Sequence, residues 1–275
     1  MSWLAVSVRG GGGEDRAAVL GVLFASGSRA VEEVGDDLHT YLPAGTDPGP
    51  LVRAVTAASP AARVETSEVV VADWDAGWRH GLTARRAGPL TVAPPWLAYE
   101  LDPASSVIVD PGMAFGTGDH ATTRGVLRLM AAVIRPGDRV ADVGAGSGVL
   151  SIAAAKLGAS RVAAIELDPD AIDNAEANVQ ANSVGDRVTV LLGDAAILLS
   201  LVAPIRVVLA NIVAPTLLEL LPVMDDALTS DGRSIVSGVL EEQREEFVRA
   251  LRDAGWIVEA EDREESWWSA VIARR

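Results

Sequence analysis

At 275 residues the chain has room for about two domains of ~100 to 200 residues each, which excludes a peptide-sized or disulfide-stapled scaffold. Lys and Arg total 23 against 38 Asp and Glu, a formal charge of −15 that repels phosphate backbones and argues against direct nucleic-acid binding. Cysteine is absent and the three histidines, His39, His80 and His120, are far apart, so disulfides, thiol nucleophiles and Cys- or His-rich metal centres are excluded and a cytoplasmic protein is expected.

The N-terminal stretch, with Ser2, Trp3 and Leu4 followed by Arg9, the run Gly10 to Gly13, Glu14 and Asp15, resembles neither a signal peptide nor a lipidation box, so no export is expected. Alternation predicts a strand at Trp3 to Val8, a helix from about Asp15 to Ser26, and short strands within Ala30 to Val34 and Leu38 to Leu42. A helix from about Pro48 to Ala58 and a strand at Val64 to Val71 complete a β-α-β-β-α-β order, that of a small ferredoxin-like α+β domain over residues 1–72. Residues 73–105, with Pro89, Pro94, Pro95 and Pro103, read as a linker with local structure.

Residues 106–275 form the second expected domain. From Pro136 onward strands at Arg139 to Val143, Arg161 to Glu166, Val188 to Leu192, Ile205 to Ala210 and Ser234 to Ser237 alternate with helices, the pattern of a Rossmann-like, doubly wound, mostly parallel sheet. A helix at Glu242 to Ala254 and a β pair at Trp256 to Glu259 and Trp267 to Ala273 are predicted to close it. The apolar stretch from Ala195 to Met224 is broken by Pro204, Arg206, Asn211 and Pro215, leaving no clean window of ~18 residues for a membrane span.

The sharpest motif is Asp142-Val143-Gly144-Ala145-Gly146-Ser147-Gly148, which ends a strand and feeds an Ala- and Leu-rich helix. Its glycines let the backbone turn tightly and approach a ligand across the carboxyl ends of the strands. A dinucleotide fingerprint would place glycine at position 149, where this chain has Val149, and Asp142 would repel a pyrophosphate; both disfavour a nicotinamide dehydrogenase. A carboxylate there suits a ligand bearing an ammonium and a sulfonium, S-adenosyl-L-methionine. Glu166, at the end of the second strand, is placed to take ribose hydroxyls, and Asp194, after the third, to accept from the adenine amino group. Each has a plainer alternative, since Glu166 can end its strand and Asp194 can cap its helix, as Asp168 is expected to do before Pro169.

Three segments resemble the ribosomal protein L-eleven methyltransferase family of class I S-adenosylmethionine-dependent enzymes: Asp110-Pro111-Gly112-Met113-Ala114-Phe115-Gly116-Thr117-Gly118-Asp119-His120-Ala121-Thr122-Thr123, the glycine loop, and Ala210-Asn211-Ile212-Val213-Ala214. The resemblance implies cofactor contacts at Thr123, Gly144, Glu166 and Asn211, to which the glycine-loop reading adds Asp142, Gly146 and Asp194. It also implies a protein methyltransferase acting on lysine side chains and the N-terminal amine of that ribosomal protein, gripped by the N-terminal domain, with no metal. A methyltransferase acting on another protein's lysines and a non-catalytic nucleoside-binding protein are the alternatives. Asn211 is expected to position the amine. The loop with Phe115, Gly116, Thr117 and Gly118 is either a cover over the cofactor or ordinary packing, and His120 either bonds the start of a helix or acts as a base. The chain departs from the family pattern at Ala145, where a cysteine is common, and at Pro215 and Thr216, where glycine and then proline are usual.

Overall fold

The computed structural model describes residues 2–10, 15–28, 31–34, 37–43, 45–70, 83–110 and 118–275. It divides into two compact units, Met1–Gly81 and Leu82–Arg275. In the first, β1 (Ser2–Arg9), α1 (Arg16–Ala25), β2 (Val31–Val34), β3 (Asp37–Pro43), α2 (Pro48–Ala58) and β4 (Arg63–Val70) follow the expected order. The sheet order is β2-β3-β1-β4 with antiparallel neighbours, the split arrangement in which each helix crosses between strands that are not adjacent. Period-two burial puts Val6 and Val8 of β1 and Leu38 and Leu42 of β3 on one face. The i, i+4 pairs Val19 and Leu23 of α1 and Leu51 and Val55 of α2 cover that face and close the core. Asp47 caps α2 by accepting from the Gly49 N–H at 2.9 Å, and Pro48 follows it at the first helical position.

The second unit begins with three short strands, β5 (Arg85–Ala87), β6 (Leu90–Ala93) and β7 (Ser106–Ile108), in a sheet of their own. They lie within or beside the stretch read as a linker, and Ala87, Leu90, Val92 and Val107 are buried in the same core as the main sheet. The local structure of that stretch is therefore packed structure from Arg85 onward, in strands too short to show a period.

The main sheet is built from β8 (Arg139–Val143), β9 (Arg161–Glu166), β10 (Val188–Leu192), β11 (Ile205–Asn211), β12 (Leu228–Leu240), β13 (Trp256–Glu264) and β14 (Trp267–Arg274), in the order β10-β9-β8-β11-β12-β14-β13. The first five are parallel and β14 runs against them. Helices α3 (Ala121–Val133), α4 (Val149–Lys156) and α5 (Pro169–Ala181) share a core with Val140, Val162, Val207 and Leu209 on one face. Helices α6 (Ala195–Val202), α7 (Ala214–Ala227) and α8 (Arg244–Asp253) cover Ala141, Val143, Val208 and Ala210 on the other. Alternate residues of each parallel strand thus feed opposite cores, which is why those strands read as unbroken apolar runs. The sequence moves outward from β8 to β10 and then resumes at β11 on the other side of β8. That reversal opens a crevice at the carboxyl ends of β8 and β11.

Three elements depart from expectation. The strand read at Ser234 to Ser237 is part of a longer β12, and the closing pair extends to Glu264 and Arg274. The last helix starts at Arg244, after a 3-10 turn over Glu241–Gln243. The apolar Ala195 to Met224 stretch resolves into α6, β11 and most of α7, and among the described residues no helix is long and apolar enough to cross a membrane.

Helix α3 packs across β12, β13 and β14, with charge on its outer edge. Arg128 bonds Asp262 at 2.5 Å and Glu264 at 2.6 Å, and Arg124, one turn earlier, reaches Glu264 at 2.6 Å. Burial alone would raise the Glu264 pKa, but the hydrogen bonds from Arg124 and Arg128 outweigh it and hold the carboxyl below its usual range. Replacing Arg128 by Met strands the part-buried Asp262 carboxylate and leaves Glu264 with Arg124 alone, and is expected to cost roughly 1 to 3 kcal/mol near pH 7. Because the folded pKa is depressed, the stabilisation is complete above the unfolded value of 4.5 and fades as pH falls through the folded one. Urea midpoints of wild type and Arg128→Met should therefore draw together as pH falls below 4.5, and a gap independent of pH would contradict this origin.

Candidate active site

The glycine loop is shaped by backbone that only glycine adopts readily: φ is +70° at Gly144, +52° at Gly146 and +80° at Gly148. Its N–H groups are aimed by the end of β9. Gly144 and Ala145 donate to the Ile165 carbonyl at 2.9 and 3.1 Å, and Gly146 donates to Glu166 Oε2 at 2.8 Å. Glu166 Oε1 accepts from the Leu167 and Asp168 N–H groups at 2.8 and 2.9 Å. An ionised carboxylate has about four acceptor positions, so one remains open, on Oε2, facing the loop side. Glu166 thus ends its strand as the plainer reading has it and still keeps an acceptor at the crevice.

Asp142 lies fully buried on the face of β8 shared with Val140, toward α4. Its Oδ2 accepts from Ser151 Oγ at 2.6 Å, while Oδ1 has no hydrogen-bond partner among the described residues. Burial pushes its carboxyl up to about 7, with the hydrogen bonds from Ser151 opposing and the charge of Glu166 adding to the rise. A buried acceptor without a donor is costly, and a water, an ion or a ligand that donates to it relieves that cost.

Two further groups converge on the same face. At the start of α3, His120 is the N-cap, its Nδ1 3.4 Å from the Thr122 N–H and 2.8 Å from Thr122 Oγ1, with its ring edge-on to Trp267 at 5.1 Å. The helix-start role is the one its geometry displays. Thr123, next in line, is fully buried, and its Oγ1 has no partner. Asn211 ends β11 beside Ser237 of β12, one step beyond the Ala210–Val143 pairing and so level with Gly144. Alternation puts its side chain on the face of Val207 and Leu209, toward α3. That side chain makes no hydrogen bond to the described residues.

Asp194 is exposed and caps α6, accepting from the Ala196 N–H at 2.8 Å. Asp168 caps α5 in the same way, at 3.0 Å from the Asp170 N–H. Gly118 has φ +80°, and an added Cβ would lie 2.4 Å from Val92 Cγ1, so packing against β6 requires glycine there. Phe115, Gly116 and Thr117, with Met113 and His80, lie outside the described residues.

Residues not singled out from the sequence shape the floor of the crevice. Gly238, at φ +88°, lets β12 approach the segment after Asn211 so closely that a Cβ would sit 2.3 Å from the Ile212 carbonyl oxygen. Ile212 in turn lies where a Cβ on Gly144 would fall, at 2.6 Å. Ser237 reaches Ser269 Oγ at 2.7 Å and the Thr122 carbonyl at 3.5 Å. A serine and glycine interrupting an apolar strand were the available signal.

Among the described residues, the arrangement is an open-ended crevice with glycine-rich backbone, one open carboxylate acceptor, two buried oxygens lacking partners and one amide without a hydrogen bond. Compared with known proteins, residues 26–275 match the family model Ribosomal protein L11 methyltransferase (PrmA). The chain belongs to that family. Ribosomal protein L11 methyltransferases of an Exiguobacterium strain and of Pelotomaculum thermopropionicum are each 42% identical to it, over 77% and 78% of this chain and 68% and 70% of theirs. The crystal structure of a ribosomal protein L11 methylase from Lactobacillus delbrueckii subsp. bulgaricus matches with a TM-score of 0.62 at 32% identity, covering 70% of this chain and 98% of that one. The PrmA family match spans the second unit and, in the first, the part from just before β2 onward.

The raised pKa of Asp142 has a sign that can be measured. Between its usual value of 3.8 and about 7 the folded chain keeps a proton that the unfolded chain has lost, so stability falls as pH rises through that window and levels off above it. The Asp142→Asn variant keeps an acceptor for Ser151 and should lack this slope when urea midpoints are followed from pH 5 to 8. Parallel pH profiles for the two proteins would sink the assignment.

Proposed function

We propose that this chain transfers methyl groups from S-adenosyl-L-methionine to amines of ribosomal protein L11, namely lysine side chains and the N-terminal α-amine. The observation that carries the reading is the free Asn211 amide standing level with Gly144, beside a glycine loop braced by Glu166. The residues present fit the cofactor: Thr123 Oγ1 and the N–H groups at the start of α3 suit a carboxylate, Asp142 Oδ1 suits positive charge, and Glu166 Oε2 suits a ribose hydroxyl. Asp194, with one oxygen engaged in its cap, offers the other to the adenine amino group. When bound, S-adenosyl-L-methionine supplies an electrophilic methyl on a good leaving group.

What remains for the protein is placement. The amine must be neutral, about 3 to 3.5 Å from the methyl carbon and in line with the bond that breaks. A lysine has a pKa of ~10.4 in water and arrives protonated, so a site that strips water from it and sets it near positive charge favours the free amine. Asn211 Oδ1 accepts from the amine and turns its lone pair toward the methyl carbon, and water takes the proton before alignment. The helix-free face of the N-terminal sheet, with exposed Tyr41 and the Ser7–His39 pair at 2.6 Å, is where we place the grip on substrate. A ribosomal-protein substrate sets the reaction in the cytoplasm, and the net charge of −15 suits a basic partner.

Incubating the chain with methyl-labelled cofactor and ribosomal proteins from a strain lacking this enzyme should label L11 at amines, as read by mass spectrometry. Label on another protein, or none, would overturn the substrate assignment. In the same assay Asn211→Ala is expected to lower kcat by about 100-fold, the scale of a misplacement near 1 Å, with cofactor affinity changed less than about threefold. A loss confined to affinity would remove the positioning role.

A further inference from the structure

Helix α5 carries Asn174 and Asn178 one turn apart, and Asn182, its C-cap, stands one turn further, so three amides form a single stripe. Asn182 reads both backbone groups of Ile108: Oδ1 accepts its N–H at 2.9 Å and Nδ2 donates to its carbonyl at 2.5 Å. Asn178 does the same to Asp110, at 2.8 and 3.0 Å, and Asn174 adds a bond to the Asp110 carbonyl at 3.1 Å. The residue between, Val109, donates instead to Ala93 at 2.9 Å. Alternate residues from the end of β7 onward are therefore paired as in a sheet, with side-chain amides replacing the neighbouring strand. A primary amide can do this because it presents one acceptor and two donors in a plane.

Asn178 differs from Asn182 in one respect. Its second N–H donates to the carbonyl of Ser147, inside the glycine loop, at 3.0 Å. The side chain is 2% exposed, its oxygen accepts one bond and both its N–H groups are engaged. Gly144, Ala145 and Gly146 are braced from β9, and the Ser147 carbonyl is braced by Asn178 from α5. Between three left-handed glycines the backbone has much freedom to lose, so each brace matters to the geometry the loop presents.

We propose that Asn178 is a positioning residue for cofactor binding, which fastens the segment at Asp110 to the glycine loop through Ser147 so that the two are set as one body. This rests on the reading that the glycine loop takes S-adenosyl-L-methionine. Asn182→Ala serves as the comparison, because it removes the same kind of backbone pairing without touching the loop. In the full chain both alanine variants should lower Tm. Only Asn178→Ala should raise the cofactor Kd measured by calorimetry, by about tenfold or more, with kcat at saturating cofactor within about threefold of wild type. An unchanged Kd in Asn178→Ala, or an equal rise in both variants, overturns the proposal. If Asn178→Ala does not fold, Asn178→Asp keeps the acceptor for the Asp110 N–H and lacks the donor to Ser147, and an unchanged Kd there overturns it equally. A wild-type chain with no affinity for the cofactor would instead bring down the functional reading itself, and the proposal with it.

Discussion

The last two residues of β9 hold the crevice in shape. The Ile165 carbonyl takes two N–H groups of the glycine loop, the Glu166 carboxylate takes a third and two more from its own turn, and the Glu166 carbonyl accepts from Gly193 at the end of β10. Three successive turns, after β8, β9 and β10, are thus referred to one strand end. A glycine-rich turn has no side chains with which to fix itself, so its conformation has to be imposed by its neighbours. A charge-assisted bond from a part-buried carboxylate is among the stronger ways to impose it.

The same carboxylate sets up an electrostatic tension. Glu166 braces the loop that Asp142 leads into, and the charge of the first adds to the burial that keeps the second protonated well above its usual range. Apart from function, a buried Asp with one oxygen unpartnered is a poor choice for a core built largely of Val, Ala, Leu and Ile. A cation lying across the loop would meet both carboxylates, favour ionisation of Asp142 and remove the penalty of its bare oxygen. The cost borne by the free protein is then a contribution to affinity, as expected of sites built before the ligand arrives.

Much of this was legible one residue at a time. The Gly144, Gly146 and Gly148 spacing, the Asp-Pro pair at Asp168 and Pro169, and the buried apolar runs of β8 to β11 announce themselves locally, and the parallel sheet follows. What stayed hidden depends on partners distant in sequence. Gly238 is required by Ile212 and Asn178 by Asp110 and Ser147, and nothing near either residue in the chain reveals it. The final hairpin was read short for another reason. Glu259 to Glu264 is charged and lacks an apolar period, yet it pairs along β14 because its side chains meet arginines and because an edge strand tolerates charge.

That hairpin also changes the meaning of the net charge. Glu259 pairs with Arg233, Glu261 with Arg244 and Arg263, Asp262 with Arg128, and Glu264 and Glu265 with Arg124. These carboxylates are largely neutralised where they stand, so the far side of the sheet contributes little to a field felt at a distance. Among the described residues, the acidic side chains outside ion pairs include Asp168, Asp170, Asp173 and Glu176 on or before α5, and Asp194 at the start of α6. They begin at the carboxyl ends of β9 and β10, beside the crevice. A cationic partner approaching within a Debye length of about 8 Å would therefore be drawn toward the methyl-transfer end of the sheet, more than the overall −15 alone would suggest.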